Sequence, residues 1–471
     1  MKKTTTFISA LTPLIAALLL AGCASTSTFT PTAAPTAPAA FKEAGGRWTT
    51  AAPAEAQARG RWWAVFADPV LDGLVERADV NNTSIQVAAA RLAQARALLR
   101  SADAERLPQV GIGGGAQRGN NLIAGSNTPT TVLSAGANAS WEPDLFGRLA
   151  KASNAASLDA QSREALLQST RLLVQSDVAQ AYFVLRGLDA ERALVRETVA
   201  AYGDTLRLTE RRYAAGDVAE LDLARVQSEV AATQSQALAL DRQRAQLEHA
   251  LAVLLGELPS SFTLAEADWR GALPNVPAGI PSTVLTRRPD VSAAQSAMRA
   301  AQVRVGVAQA AWFPDVALTA NGGFASSDLG DLFKWSARSW GVGALLSLPL
   351  FDGGRREAGV QNANALWDAA AAGYREQVLV AFQDVEDQLA ALRLLADQAG
   401  AQTQAVDAAA RATVLSNSRY RNGLVSQLEF LDARRSELTN RRQAVQVRAA
   451  QYQATVGLIR ALGGSWEGKP A

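Results

Sequence analysis

The chain repeats itself at a distance of 207 residues, and this duplication limits its folds more than any other feature. "RYAAGDVAELDLA", Arg212 to Ala224, returns as "RYRNGLVSQLEFLDA", Arg419 to Ala433. Tyr213, Gly216, Val218 and Leu221 become Tyr420, Gly423, Val425 and Leu428, and the same shift carries Gly256 onto Gly463. A chain of this kind folds as two copies of one design, each with its own short glycine-bearing piece.

Proline placement shows what the copies contain. No proline falls between Pro143 and Pro259, or between Pro349 and Pro470, and both intervals are rich in good helix formers. Apolar side chains recur every seven positions in the first copy, at Val178, Leu185, Val199, Leu206 and Tyr213. The second copy answers with Val385, Leu392, Val406, Thr413 and Tyr420, while Arg192 interrupts the first stripe where the second has Ala399. A seven-residue repeat sustained this long predicts coiled-coil packing. A helix from about Leu149 to Tyr213 would be roughly 95 Å long at 1.5 Å per residue. It meets Gly216, turns, and runs back to about Leu255. The duplicated glycine pieces are therefore hairpin tips, where glycine allows the reversal.

Between helices the period changes. In "VLSAGANASW", Leu133, Ala135, Ala137, Ala139 and Trp141 alternate with Ser134, Gly136, Asn138 and Ser140. "WGVGALLSL" from Trp340 and "PDVALTANGGF" from Pro314 alternate likewise, and the glycine-rich "PQVGIGGGAQ" from Pro108 does so more weakly. Alternation over about ten residues suits a transmembrane β-strand, and equally a half-buried soluble strand. Counting narrows the choice. Two strands per copy give four, and bacterial membrane barrels need about eight to close. An open sheet edge in lipid would leave backbone groups unpaired. If the strands lie in a membrane, the chain must associate with itself; eight long helices in a ring leave little bore, which favours three copies over two.

The single cysteine sits where an anchor would. Lys2 and Lys3 precede an apolar run from Phe7 to Leu20 that ends in "LLAGC", Leu19 to Cys23. The run is short for a membrane helix and fits a signal peptide. The last residues look like a lipobox, with Cys23 as the lipidated residue; the alternative is a chance cysteine after an ordinary signal. Ala24 follows instead of the Asp that retains bacterial lipoproteins at the inner membrane. A chain rich in Thr, Ala and Pro then runs to about Arg59 and reads as a poorly packed tether.

Several function classes are excluded or disfavoured. With 46 basic and 44 acidic side chains, the chain lacks the charge excess of a nucleic-acid binder. One cysteine and one histidine allow neither an internal disulfide nor a Cys/His zinc site. "GIGGGAQRG" from Gly111 lacks the Lys-Ser/Thr ending of a phosphate loop. His249 stands alone on a helical run. No catalytic set, metal site or cofactor is expected beyond the covalent lipid on Cys23.

These pieces together resemble the outer-membrane factor family, the TolC-like channels of tripartite efflux pumps, and within it the lipoprotein branch. The residues that carry the resemblance are "WWAVFADPVLDGLVERADVNN" (Trp62 to Asn82), "RRPDVSAAQ" (Arg287 to Gln295) and "AAWFPDVAL" (Ala310 to Leu318). Paired motifs add to it: "WEPDLFGR" at Trp141 with "LPLFDGGRR" at Leu348, and "LPQV" at Leu107 with "FPDV" at Phe313. The resemblance implies a mainly helical homotrimer. Each protomer would give four strands to a twelve-stranded barrel in the outer-membrane lipid and four helices to a twelve-helix periplasmic tunnel. It also implies partners, a periplasmic adaptor and an inner-membrane transporter, and makes Gly216, Asp217, Val218, Gly423, Leu424 and Val425 the adaptor-docking tips. Glu429 and Asp432, three apart on one helix face, align with the acidic residues that ring the closed periplasmic entrance. The first copy has Asp222 but Arg225 at the matching places, so only the second is fully acidic. Val425 stands where some members have a latching arginine.

The expected organisation is a signal peptide (1–22), a lipidated N-terminus and tether (23–60), a first repeat (61–270), a linker (271–288), a second repeat (289–464) and a tail (465–471). Strands are expected at about 107–118, 131–141, 314–325 and 339–349, and hairpins at about 149–256 and 355–463. The leading expectation is a passive outer-membrane conduit exporting small molecules such as drugs. Alternatives are a channel for proteins or metal ions, and a lipid-anchored coiled-coil scaffold without a pore.

Overall fold

In the computed structural model the two halves match element for element from α2 onward. The structure describes residues 37–38, 40–44, 60–120, 129–267, 269, 271–274, 276 and 287–464. The signal peptide, Cys23, most of the tether, part of the linker and the tail lie outside these residues. The first half contains α1 (Pro69–Asn81), α2 (Thr83–Ala104), β1 (Gln109–Gly119), β2 (Thr130–Trp141), α3 (Arg148–Ala214) and α4 (Glu220–Leu254). The second contains α5 (Pro289–Ala310), β3 (Asp315–Ser326), β4 (Arg338–Ser347), α6 (Arg355–Arg421) and α7 (Gln427–Ala461). Helix lengths recur: 22 residues for α2 and α5, 67 for α3 and α6, 35 for α4 and α7. The fold is mainly helical and built as a tandem repeat.

The chain divides into two compact units. The first holds the strands and falls within Ala93–Ser162 and Ala294–Arg375. Its sheet is an antiparallel meander in the order β1-β2-β3-β4. Gln109 faces Ser140 in one hairpin, and their counterparts 206 and 207 residues on, Asp315 and Ser347, face each other in the other. The duplication is thus kept to the residue in the strand register. Ile112, Trp340, Val342 and Leu346 are exposed on this single sheet. Among the described residues no helix is long and apolar enough to cross a membrane.

The second unit falls within Pro35–Leu92, Arg163–Ala293 and Glu376–Ala471 and carries the main core. Trp62, Trp63, Phe66 and Leu71 from the start of the first repeat pack with Tyr182 and Phe183 of α3 and Tyr452, Val456 and Ile459 of α7. Phe183 lies 4.7 Å, ring to ring, from both Phe66 and Tyr452. Asp68 caps α1 by accepting from the Val70 and Leu71 amides, and its other oxygen accepts from the Tyr182 hydroxyl at 2.6 Å. Burial, reinforced by that carboxylate, pushes the Tyr182 phenol up to about 12.

The helices end where the sequence places glycine. At Gly216 and Gly423, φ is +83° and +69°. In each case the glycine amide and the next one bond back to the last turn: Gly216 to Tyr213 and Asp217 to Arg212, Gly423 to Tyr420 and Leu424 to Arg419. This Schellman closure satisfies carbonyls that a helix end leaves open, and the left-handed residue is strained for anything but glycine. Gly256 and Gly463 close α4 and α7 in the same way. "RRPDV" is a capping device at the second of these ends. Arg288 is buried, donates to Asp290 and to Asp384 at 2.8 Å, and reaches the Ala461 carbonyl; in the first half Asn82 donates to the Leu254 carbonyl at 2.7 Å.

Three sequence expectations need correction. Residues 40–44 are not loosely tethered: Phe41 is 4 % exposed and packs on Phe382, and both carboxylate oxygens of Glu386 accept the Lys42 and Glu43 amides at 2.7 and 2.9 Å. An apolar ring and two amide donors find one receptive stretch of α6, which outweighs the composition of the tether. Arg192 does not interrupt the stripe. It is buried and donates to Asp241 at 2.7 Å and Glu266 at 2.8 Å, so its charge is satisfied inside the packing. The deepest seam of the first hairpin is also offset from the expected one, running through Leu188, Val195, Tyr202 and Thr209. Leu188 and Val195 pack with Leu240, and Tyr202 with Val226 and Leu431.

Candidate functional site

The hairpin tips hold all the sequence-assigned docking and gate residues. Gly216, Asp217, Gly423 and Leu424 are exposed, Val218 and Val425 half-buried. Leu424 is an unpartnered apolar side chain at the end of its hairpin, at 68 % exposure. The second tip is the better capped. Ser426 accepts the Glu429 amide at 3.3 Å, whereas Ala219 offers α4 no side-chain cap. A helix N-terminus favours nearby negative charge, and Glu429 stands in the first turn of α7.

Glu429 and Asp432 are both exposed, flanking Phe430 and Leu431, which are buried. Phe430 stacks on Tyr420 with centroids 5.4 Å apart, and the Arg434 guanidinium lies 5.1 Å from the centroid of the Phe430 ring. The two carboxylates therefore point away from the tip's own core. They differ in company. Asp432 accepts from Arg435 at 2.7 Å, and the same guanidinium reaches Glu229 of α4 at 3.3 Å. Among the described residues no ion pair involves Glu429.

Two features of this site escaped sequence reasoning. Gln427 is buried and donates to the Thr209 hydroxyl at 2.7 Å, tying the second tip to the first hairpin. Arg435 makes the second tie, through Glu229. Neither partner is near in sequence, and Thr209 lies on the seam of Leu188, Val195 and Tyr202 that is offset from the expected stripe. Tyr202 is the third element. Its ring fills the contact between Val226 and Leu431, yet its hydroxyl is buried with no hydrogen-bond partner among the described residues. Burial first, then the Glu229 charge, pushes this phenol up to about 12.

An unpaired buried hydroxyl costs stability that a phenyl ring does not. Tyr202→Phe is therefore expected to unfold at the same denaturant concentration as the parent or to gain up to about 1 kcal/mol. Equilibrium denaturation followed by circular dichroism measures it, and a clear loss would show that the hydroxyl is engaged after all. The arrangement has no bond-making chemistry. Among the described residues no group of His, Cys, Asp or Glu is placed to hold a metal. What the tips offer is an apolar end, a pair of exposed carboxylates and two polar ties between hairpins.

Comparison with known proteins agrees with this geometry. The family model described as "Outer membrane efflux protein" matches residues 74–257 and 280–464, one segment per repeat. The chain is 32% identical over 410 residues to the cation efflux system protein CusC of Escherichia coli, covering 86% of this chain and 88% of that one. It is 32% identical over 458 residues to the toluene efflux pump outer membrane protein TtgC of Pseudomonas putida, covering 96% and 94%. The solved structure of the outer-membrane channel OprN superposes with a TM-score of 0.85 at 29% identity, covering 93% of this chain and 99% of that one. Both halves of the family pattern, the strand meander and the long hairpins are thus present together, and the chain belongs to the outer membrane efflux protein family, as an outer-membrane channel component of an efflux pump and not an enzyme.

Proposed function

We propose that three copies of this chain assemble into a passive conduit whose strands form a twelve-stranded barrel in the outer membrane and whose helices form a twelve-helix periplasmic tunnel. The observation that carries the reading is the open sheet: four strands in a meander, with β1 and β4 at its two edges. Unpaired edge groups are costly in lipid, and ring closure by identical neighbours removes them. Cys23, lipidated, adds an anchor. The tips at Gly216, Asp217 and Val218 and at Gly423, Leu424 and Val425 dock a periplasmic adaptor, which links the tunnel to an inner-membrane transporter. Glu429 and Asp432 line the entrance that the adaptor opens.

The cargo is a small organic molecule such as a drug or solvent. Support comes from TtgC, named for toluene, and from the solvent efflux pump protein SrpC of Pseudomonas putida, 34% identical over 412 residues. The test of the conduit is the mass of the protein extracted from outer membranes in mild detergent, corrected for bound detergent. Three chains are expected. One chain, released without detergent once Cys23 is replaced, would overturn the conduit in favour of a lipid-anchored scaffold.

A further inference from the structure

We infer that Arg118 and Arg338 are binding sites for the phosphates of outer-leaflet lipid, one arginine at the far end of each β-hairpin on the face turned to the membrane. The inference rests on the barrel reading and adds a ligand to it.

The strand register separates two faces. One cross-strand row is Ile112, Ala137, Gly322 and Trp340. The adjacent row, on the opposite face, is Gly111, Asn138, Asn321 and Gly341. In a membrane barrel the apolar face turns to lipid and the polar one to the lumen. Helices α2 and α3 flank the first hairpin and α5 and α6 the second, so each hairpin loop lies at the end away from the helices. With the helices in the periplasm, that end belongs to the outer leaflet.

At that end the apolar face finishes in charge. Arg118 faces Thr131, and their counterparts 206 and 207 residues on, Phe324 and Arg338, face each other. Both pairs continue the apolar face. Each hairpin therefore places one exposed arginine at the same level, on β1 in the first copy and on β4 in the second. The duplication keeps the charge there while exchanging the strand that carries it. The level itself can be placed. β4 runs for 10 residues from Arg338 to Ser347. At about 3.4 Å per residue and a tilt of about 40°, such a strand climbs roughly 25 Å, the height of a barrel's whole apolar band. Arg338, at its outer limit, meets the headgroups.

The loop before β4 is shaped for the same boundary. It buries Leu332 yet leaves Phe333 and Trp335 71% and 75% exposed. Phe333 meets the Phe324 ring edge to face at 5.7 Å, which extends the lipid face outward. Trp335 supports Arg338, whose guanidinium lies 4.6 Å from the ring centroid and donates to the Trp335 carbonyl at 3.0 Å. The guanidinium is thus oriented with one nitrogen engaged, and among the described residues no ion pair involves Arg338 or Arg118. Its remaining donors suit the oxygens of a phosphate, which arginine binds as a fork. Aromatic rings favour the membrane interface, and a long basic side chain reaches the headgroups from there. A phosphate-bearing lipid satisfies both halves of the site, its phosphate on the arginine and its acyl chains on Phe333. Free phosphate would leave both aromatic rings in water.

The test counts ligands on full-length protein, purified in mild detergent, by native mass spectrometry. The probes are lipid A carrying both phosphates, lipid A stripped of them, and inorganic phosphate. The parent is expected to bind the phosphorylated lipid about tenfold or more tighter than the stripped one, the difference made by a hydrogen bond to a charged group. Arg118→Gln with Arg338→Gln should erase that preference, and Arg118→Lys with Arg338→Lys should recover part of it. The mass of each variant shows whether it assembles, and the parent's own preference decides the matter if a variant does not. A three-chain parent without preference, or an assembled glutamine variant that keeps it, overturns the site and leaves the barrel standing. Inorganic phosphate that displaces the lipid at equal concentration would make this a free-anion site and overturns the inference too. A one-chain mass removes the barrel, and the site with it.

Discussion

Asp189→Ala is expected to be the most destabilising single substitution in the described core, costing about 3–5 kcal/mol. The carboxylate is 4% exposed and receives three guanidiniums: Arg244 at 2.7 Å, Arg192 at 3.3 Å and Arg186 at 3.4 Å. Removing it leaves three largely buried positive charges facing one another, with desolvation no longer offset. The same arginines hold the chain that leaves the first hairpin. Arg186 donates to the Ala265 carbonyl at 2.7 Å, Arg244 to the Leu264 carbonyl, and Arg192 to Glu266. Loss of Asp189 should therefore free residues 262–266 first. Hydrogen exchange should accelerate in that segment, and the denaturation midpoint should fall. A variant with the parent's midpoint and unchanged exchange would show that the arginines are sufficiently held by their other partners.

The same network sets a sign for pH. Hydrogen bonds from Arg192 hold the Asp241 and Glu266 carboxyls below their ordinary values. A depressed carboxyl stabilises the fold above its unfolded value, and that contribution disappears as pH falls through the lower folded one. Acidification below about pH 4 should loosen the segment around Glu266 from the hairpin.

Legibility from sequence followed the range of the forces involved. Gly216, Gly256, Gly423 and Gly463 were readable because a Schellman closure is made within six residues and demands a left-handed backbone. Strand limits inferred from alternation differ from the observed ones by no more than two residues. What the sequence concealed were choices made by distant partners. Arg192 looked like a defect until Asp241 and Glu266 were brought beside it. Phe41 looked like part of a tether until Phe382 and Glu386 gave it a seat. Arg435 gave no sign of reaching Glu229, 206 positions earlier. The seven-residue stripe was visible, but not which of two neighbouring seams runs deeper, because both repeat every seven and only tertiary packing separates them.

Replacing Glu429 and Asp432 together with alanine is expected to remove most of the pore's cation preference and to weaken block by divalent cations about tenfold or more, the equivalent of about 1.4 kcal/mol. In the proposed trimer these side chains set six carboxylates around a narrow entrance, where a charged ring attracts counter-ions of opposite sign. The structure ranks the single variants. Asp432 shares its charge with Arg435, whereas no ion pair among the described residues involves Glu429. Glu429→Ala should therefore lower selectivity more than Asp432→Ala. Arg435→Ala should have two effects: stronger cation attraction, because Asp432 loses its counter-ion, and a looser entrance, because the tie to Glu229 is gone. Selectivity from reversal potentials and block from single-channel current separate these effects in one planar-bilayer experiment. Equal single-variant effects would place Arg435 away from Asp432 in the assembled tip. An unchanged reversal potential and block in the double variant would remove both carboxylates from the gate and leave them as ordinary solvated charges beside Phe430 and Leu431.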